Sequence, residues 1–196
     1  MTRSRIRFGE GRVFQVRVEL DGISPPVWRR ILVSGRASLH ELHEVIQRAI
    51  GPDTDSGYRF EVDGVQYLDP ADEPAPGQAA SAVSLESLEL HPGSRFLHRA
   101  EHHAEPWLHL VTLEQMVPRL VGQRLPVCIA GGRAAPPDDC TGPRDYHQLL
   151  VLLADPLDPR AAELRSWLPE HFDPDYADVT SINAELSRVP KHRPAA

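Results

Sequence analysis

Residues 25–51 read PPVWRRILVSGRASLHELHEVIQRAIG, and this stretch decides the fold class. Its second half is an amphipathic helix. Leu39, Leu42, Val45, Ile46, Ala49 and Ile50 recur with a 3.6-residue period and make one apolar face. Ser38 stands at the N-cap and Glu41 follows three residues later, which is the capping-box spacing. Gly51 sits where a left-handed residue would end the helix, and Pro52 prevents continuation. The first half is a strand. Val27, Ile31 and Val33 alternate onto one face, with Arg29 as the exception, while Trp28, Arg30 and Leu32 share the other.

Outward from this stretch the same rules give further elements. Phe14, Val16, Val18 and Leu20 alternate with Gln15, Arg17 and Glu19, so 13–20 reads as a half-buried strand. Residues 58–62 and 65–68 flank Asp63-Gly64 as a hairpin. Residues 69–81 are rich in Pro, Ala and acid and read as an exposed loop. Residues 95–99, 107–114 and 127–130 read as strands, with Trp107, His109 and Val111 sharing one face. The remainder is helical: 146–154 capped by Asp145, a helix from Pro159 capped by Asp158, and a last helix over 181–187. The expected class is α+β: a mixed, mostly antiparallel sheet with one long packed helix, a β-grasp-like start and a helical C-terminal part. Residues 1–12 read as a basic tail, 13–190 as one domain (13–130 sheet plus helix, 145–190 helical extension) and 191–196 as a second tail.

The chain has 196 residues, 41% of them apolar and 25% charged, which suits a globular domain with one good-sized core. No apolar run approaches the ~20 residues of a membrane span, and the N-terminus lacks a signal peptide's apolar stretch. The expectation is a cytoplasmic protein that does not engage a membrane. The net charge is −7, against a broad nucleic-acid-coating surface. Residues 1–36, however, carry eight arginines against three acids, net +5, leaving −12 for the rest. A basic face on the first two strands, through Arg17, Trp28, Arg29 and Arg30, is a candidate surface for a protein or nucleic-acid partner. The alternative is a solvated tail beside an acidic body.

Several blocks carry a family resemblance: VELDGISPPVWRRILV (18–33), SLHELHEVIQRAIG (38–51), WLHLVTLE (107–114), PVCIAGGRAAPPDDCTGP (126–143), YHQLLVLLADP (146–156) and FDPDYADVTSIN (172–183). Together they resemble the plasmid pRiA ORF-3-like family and cover nearly all of the chain. The resemblance implies a protein found beside mobile elements, with no settled activity. Some members bear a resolvase label, but no resolvase-type serine–arginine cluster and no helix-turn-helix segment stands here. Two family aspartates before the tryptophan fall on His102 and Glu105, the glycine after the second cysteine is Thr141, and a family histidine near Tyr58 is missing.

The segment FLHRAEHHAEPWLH (96–109) holds four of the ten histidines, with Glu101 and Glu105 among them. His102, Glu105 and His109, with Cys128, Asp139 and Cys140 from the later loop, have the ligand chemistry of a zinc-type site. Their spacing matches no standard zinc signature. Structural roles are the plainer reading: exposed loop histidines, Trp107 as a core anchor, Cys128 as buried filler. His40 and His43 stand at i,i+3 beside Glu41 and Glu44, a spacing that could bind a metal, though a solvated polar face is the plainer reading. No P-loop, GxGxxG or GxSxG is present. Two functions follow: a non-catalytic interaction module binding protein or nucleic acid in a plasmid or mobile-element setting, and a metal-dependent hydrolytic enzyme using zinc.

Overall fold

The computed structural model describes residues 7–51, 57–69, 77–101, 105–155, 157–169 and 172–190. Eight strands form one sheet: β1 (Phe8–Leu20), β2 (Trp28–Ser34), β3 (Tyr58–Val62), β4 (Val65–Leu68), β5 (Gln78–Ala79), β6 (Arg95–Ala100), β7 (Trp107–Leu120) and β8 (Val127–Gly132). Their spatial order is β5-β4-β3-β6-β7-β1-β2-β8. Every pair is antiparallel except β4–β5. Helix α1 (Leu39–Ile50) follows β2, and α2 (Pro143–Ala154), α3 (Pro159–Trp167) and α4 (Val179–Leu186) follow the last strand. The class is α+β. The strand–strand–helix start is present, but the sheet it opens is large, with β1 in its interior. Helices α1 and α2 each span 12 residues; α1 is the better buried, not the longer.

Alternation sets the faces. Val16, Val18 and Leu20 of β1, Ile31 and Val33 of β2, Phe96 of β6 and Trp107, Val111 and Leu113 of β7 point inward and pack with Leu39, Leu42, Ile46 and Ile50 of α1 in one core. Burying a side chain of this kind contributes roughly 1.5–3 kcal/mol. The opposite face carries Gln15, Arg17, Glu19, Trp28, Arg30 and Leu32, all only partly buried. The β3–β4 turn has φ 49° at Asp63 and φ 80° at Gly64, the left-handed pair that a two-residue hairpin needs.

Local chemistry explains where elements start and stop. The Ser38 hydroxyl accepts from the Glu41 N–H at 3.1 Å, and the Glu41 carboxylate accepts from the Ser38 N–H at 2.8 Å, closing the capping box. Three expectations need correction. β1 starts at Phe8, not Val13. Gly9, Glu10, Gly11 and Arg12 hide it by breaking the alternation, and pairing with the long β7 holds it, Phe8 facing Leu120 and Arg12 facing Pro118. Gly51 is extended, at φ −92° and ψ 153°; glycine suits it because a Cβ would come within 3.3 Å of the Gln47 Cα. Helix α2 begins at Pro143 behind Gly142, and Asp145 instead accepts from the Thr141 N–H at 3.0 Å, fixing the entering turn. Most of the expected loop 69–81, and the 191–196 tail, lie outside the described residues.

The outer edge of β8 meets α4 rather than another strand. Asn183 accepts from the Cys128 N–H at 2.8 Å and donates to the Cys128 carbonyl at 2.9 Å. Among the described residues, no helix is long and apolar enough to cross a membrane.

The capping box yields a direct expectation. Ser38→Ala should lower the unfolding free energy by about 1 kcal/mol, read from the urea midpoint at unchanged slope.

Candidate functional site

Helix α1 and strands β6 and β7 bring three histidines into contact inside the core. His43 Nδ1 lies 2.9 Å from His98 Nε2, and His98 Nδ1 lies 3.2 Å from His109 Nδ1. His98 and His109 are directly paired across the strands. His98 and His109 are 0% exposed and His43 is 6% exposed. Tyr58 of β3 stacks on His43 with ring centroids 3.7 Å apart, and its hydroxyl bonds His40 Nδ1 at 2.7 Å. The Phe60 ring packs against His98 at 4.7 Å. Burial, with neighbouring imidazoles adding to it, pushes the His43 imidazole down to about 3. Burial alone takes His109 down to about 3. His98 also lies well below its ordinary value, first through burial. All three rings are therefore neutral at pH 7. His109 Nε2 and Trp107 Nε1 are buried without a hydrogen-bond partner among the described residues.

The expected metal set does not assemble. His102 lies outside the described residues. Glu105 turns to the start of α2, where its carboxylate accepts from the Arg144 N–H at 3.3 Å, a favourable place for a negative charge. Gly142 is needed there, since a Cβ would come within 2.6 Å of the Glu105 Cβ. Asp139 is exposed. Cys140 is buried and its thiol is pushed up to about 12 by burial, then by Asp145 and Asp139. Cys128 sits on β8, its thiol raised by burial and donating to the Ala130 carbonyl at 3.3 Å. Both thiols are free and protonated, the opposite of a ligating thiolate. Among the described residues no group of three or more His, Cys, Asp or Glu is placed to hold a metal ion.

The expected basic face divides into an inner and an outer part. Arg29 is 1% exposed. Its Nε donates to the Ala49 carbonyl at 2.9 Å, and Nη1 donates to the carbonyls of Trp28, Gly132 and Arg133 at 2.8, 3.1 and 2.8 Å. Burial lowers its pKa to about 10, so it stays charged at pH 7 but cannot meet a partner's phosphate. This corrects its assignment as a partner-binding residue. Arg30 forms a bidentate pair with Glu114 at 2.5 and 2.8 Å, and the guanidinium holds that carboxyl below its usual range. Arg17 pairs with Glu19 at 2.8 Å and places its guanidinium 4.2 Å from the Trp28 ring centroid. Arg17, Trp28 and Arg30 thus share the outer face, but each cation already has its own carboxylate.

The match to known proteins spans these same elements. A family model described as plasmid pRiA4b ORF-3-like protein matches residues 12–181. The chain belongs to that family. The uncharacterized protein y4hQ of Sinorhizobium fredii is 31% identical over 173 residues, covering 87% of this chain and 89% of that protein. The crystal structure of a protein of unknown function, MM3350 from Methanosarcina mazei Go1, superposes with a TM-score of 0.77 at 27% identity, over 88% of this chain and 98% of that one. The second relative shares the fold, and neither carries a name that assigns an activity.

Sequence reasoning missed His43 and His98 as a buried pair with His109. The signals were present: His43 lies between Leu39 and Ile46 on the apolar stripe of α1, and Phe96, His98 and Ala100 alternate inward on β6.

Two outcomes are expected. The folded His43 and His109 imidazoles bind protons only near pH 3, and His98 is depressed as well, whereas unfolded imidazoles bind protons near 6.5. The unfolded state therefore takes up protons first on acidification. Stability should be full above pH 6.5 and fall by about 1.4 kcal/mol per pH unit per ring below it, toward pH 3. Urea midpoints between neutral and mildly acidic pH test this, and His98→Phe should flatten the slope. Separately, Arg29→Met should cost about 3 kcal/mol or more by stranding buried carbonyls, whereas Arg30→Met should cost about 1 kcal/mol or less.

Proposed function

We propose that this chain is a non-catalytic interaction module whose partner is a protein segment of acidic and apolar character, in a plasmid or mobile-element setting. The observation that carries this reading is a cleft of about 510 Å³ between α1, the turn after β2 and the turn joining β7 to β8. Val33, Leu42, Val45 and Val189 give it an apolar lining, and Arg119 and Arg124 contribute two cations with no ion pair among the described residues, beside Arg36, which pairs with Glu10 and Glu86, and the carboxylate of Glu41. Two unpaired cations at a cleft on a chain of net charge −7 concentrate a field of one sign where shape can also hold a side chain. Apolar anchors with a charged rim are the usual anatomy of a protein-recognition site.

The protein version of the partner is favoured over nucleic acid by the state of the first two strands. Arg29 is internal, and Arg17 and Arg30 are neutralised by Glu19 and Glu114. Arg17, Arg29 and Arg30 therefore offer no free cation to a phosphate track.

A fluorescein-labelled peptide of alternating Glu and Leu tests the reading by anisotropy, with single-stranded DNA of the same charge as comparator. The peptide should bind more tightly, and the Arg119→Glu, Arg124→Glu double variant should weaken it by about tenfold or more, equivalent to about 1.4 kcal/mol. Equal binding by the double variant, or tighter binding of DNA, would sink the proposal.

A further inference from the structure

Proton counting constrains the histidine chain. A neutral imidazole carries one N–H and one bare nitrogen. His98 uses both ring nitrogens, Nε2 toward His43 Nδ1 and Nδ1 toward His109 Nδ1. Three neutral rings joined by two such bonds have only two arrangements. In one, His109 donates to His98 and His98 donates to His43; His109 Nε2 is then bare and His43 Nε2 carries a proton. In the other, both bonds reverse, so His109 Nε2 is protonated and His43 Nε2 is bare. The two end nitrogens always differ.

The surroundings select between these arrangements. His109 Nε2 and Trp107 Nε1 are both buried and without a partner among the described residues, on side chains two residues apart on the inward face of β7. Orphaned buried N–H groups are rarer than under-used acceptors, which favours a bare His109 Nε2. The indole N–H can only donate and a bare imidazole nitrogen can only accept. A hydroxyl is the smallest group that answers both, its oxygen accepting from Trp107 and its hydrogen going to His109. A neutral hydroxyl also avoids the cost of burying a charge.

We propose that Trp107 Nε1 and His109 Nε2 form a buried site for one neutral hydroxyl group, from water or a small alcohol, and that its hydrogen bond to His109 Nε2 fixes the proton register of His109, His98 and His43. In that register the His109 Nδ1–H donates to His98 Nδ1, the His98 Nε2–H donates to His43 Nδ1, and His43 keeps its proton on Nε2. His43 alone of the three keeps any exposure, 6%. The groups packed on the chain are His40, Tyr58 and Phe60. This site is separate from the cleft and stands independently of it.

Long-range ring proton–nitrogen spectra of the full chain, labelled on histidine, read the arrangement directly at neutral pH. The expected result is one proton per ring, on His109 Nδ1, His98 Nε2 and His43 Nε2, with an exchange contact between Trp107 Nε1–H and a hydroxyl. Trp107→Phe should abolish the contact at His109 and leave the other two rings in register. Methanol titration separates the hydroxyl sources: a saturable shift of Trp107 Nε1–H assigns the site to alcohols as well, and an unchanged water contact assigns it to water. A doubly protonated ring, a proton on His109 Nε2, or a Trp107 Nε1–H with neither a water contact nor a methanol response overturns the proposal. Each of these three overturning outcomes is read on the unsubstituted chain.

Discussion

The Arg29 guanidinium is the constraint around which the other elements are arranged. It is a buried cation whose side-chain hydrogen bonds among the described residues all end on backbone carbonyls: one in the last turn of α1, one on β2 and two where β8 runs out into the following loop. A carbonyl at a helix C-terminus carries partial negative charge, so the contact with Ala49 places a positive charge where α1 welcomes it. Backbone then has to come close. A Cβ at Gly131 would lie 3.0 Å from the Arg29 Cδ, and one at Gly132 would overlap the Trp28 indole. The Gly-Gly pair ending β8 therefore belongs to the same device, because it lets two carbonyls reach a side chain that larger residues would hold away.

How much of this the sequence discloses depends on whether the deciding interaction is local. The capping box of α1, the Asp63-Gly64 hairpin and the alternation on β1, β2 and β7 rest on residues a few positions apart, and they read correctly. Alternation also placed Arg29 on the inward face; the error lay in giving a charged residue a surface role against its own pattern. Three of the four carbonyls that receive it lie 20 to 104 residues away, and no local rule reports them. The start of β1 was hidden in the same way, since its first residues are held by β7 and not by their own pattern.

The candidate site shows the same division. His109 was visible because it shares a strand face with Trp107 and Val111. Its partners come from β6 and α1, and the histidine of α1 lies 55 residues from the one it touches. The metal set failed because chemical type alone grouped its members. Glu105 serves a helix start, Cys128 serves the sheet edge, and Cys140 is buried as a thiol. The cleft escaped notice for a related reason: Arg36, Arg119 and Arg124 are scattered in sequence and gathered by two turns.

Asn183 has a consequence for how the molecule behaves in a crowd. An open sheet edge is a template on which another chain can add a strand. A side-chain amide offers one donor and one acceptor, the same pair a neighbouring strand presents, and at Cys128 it occupies both backbone groups. Among the described residues the opposite border is β5, two residues long. One end of the sheet is thus stopped by an imitation strand and the other is too short to extend, which disfavours end-to-end growth into fibres.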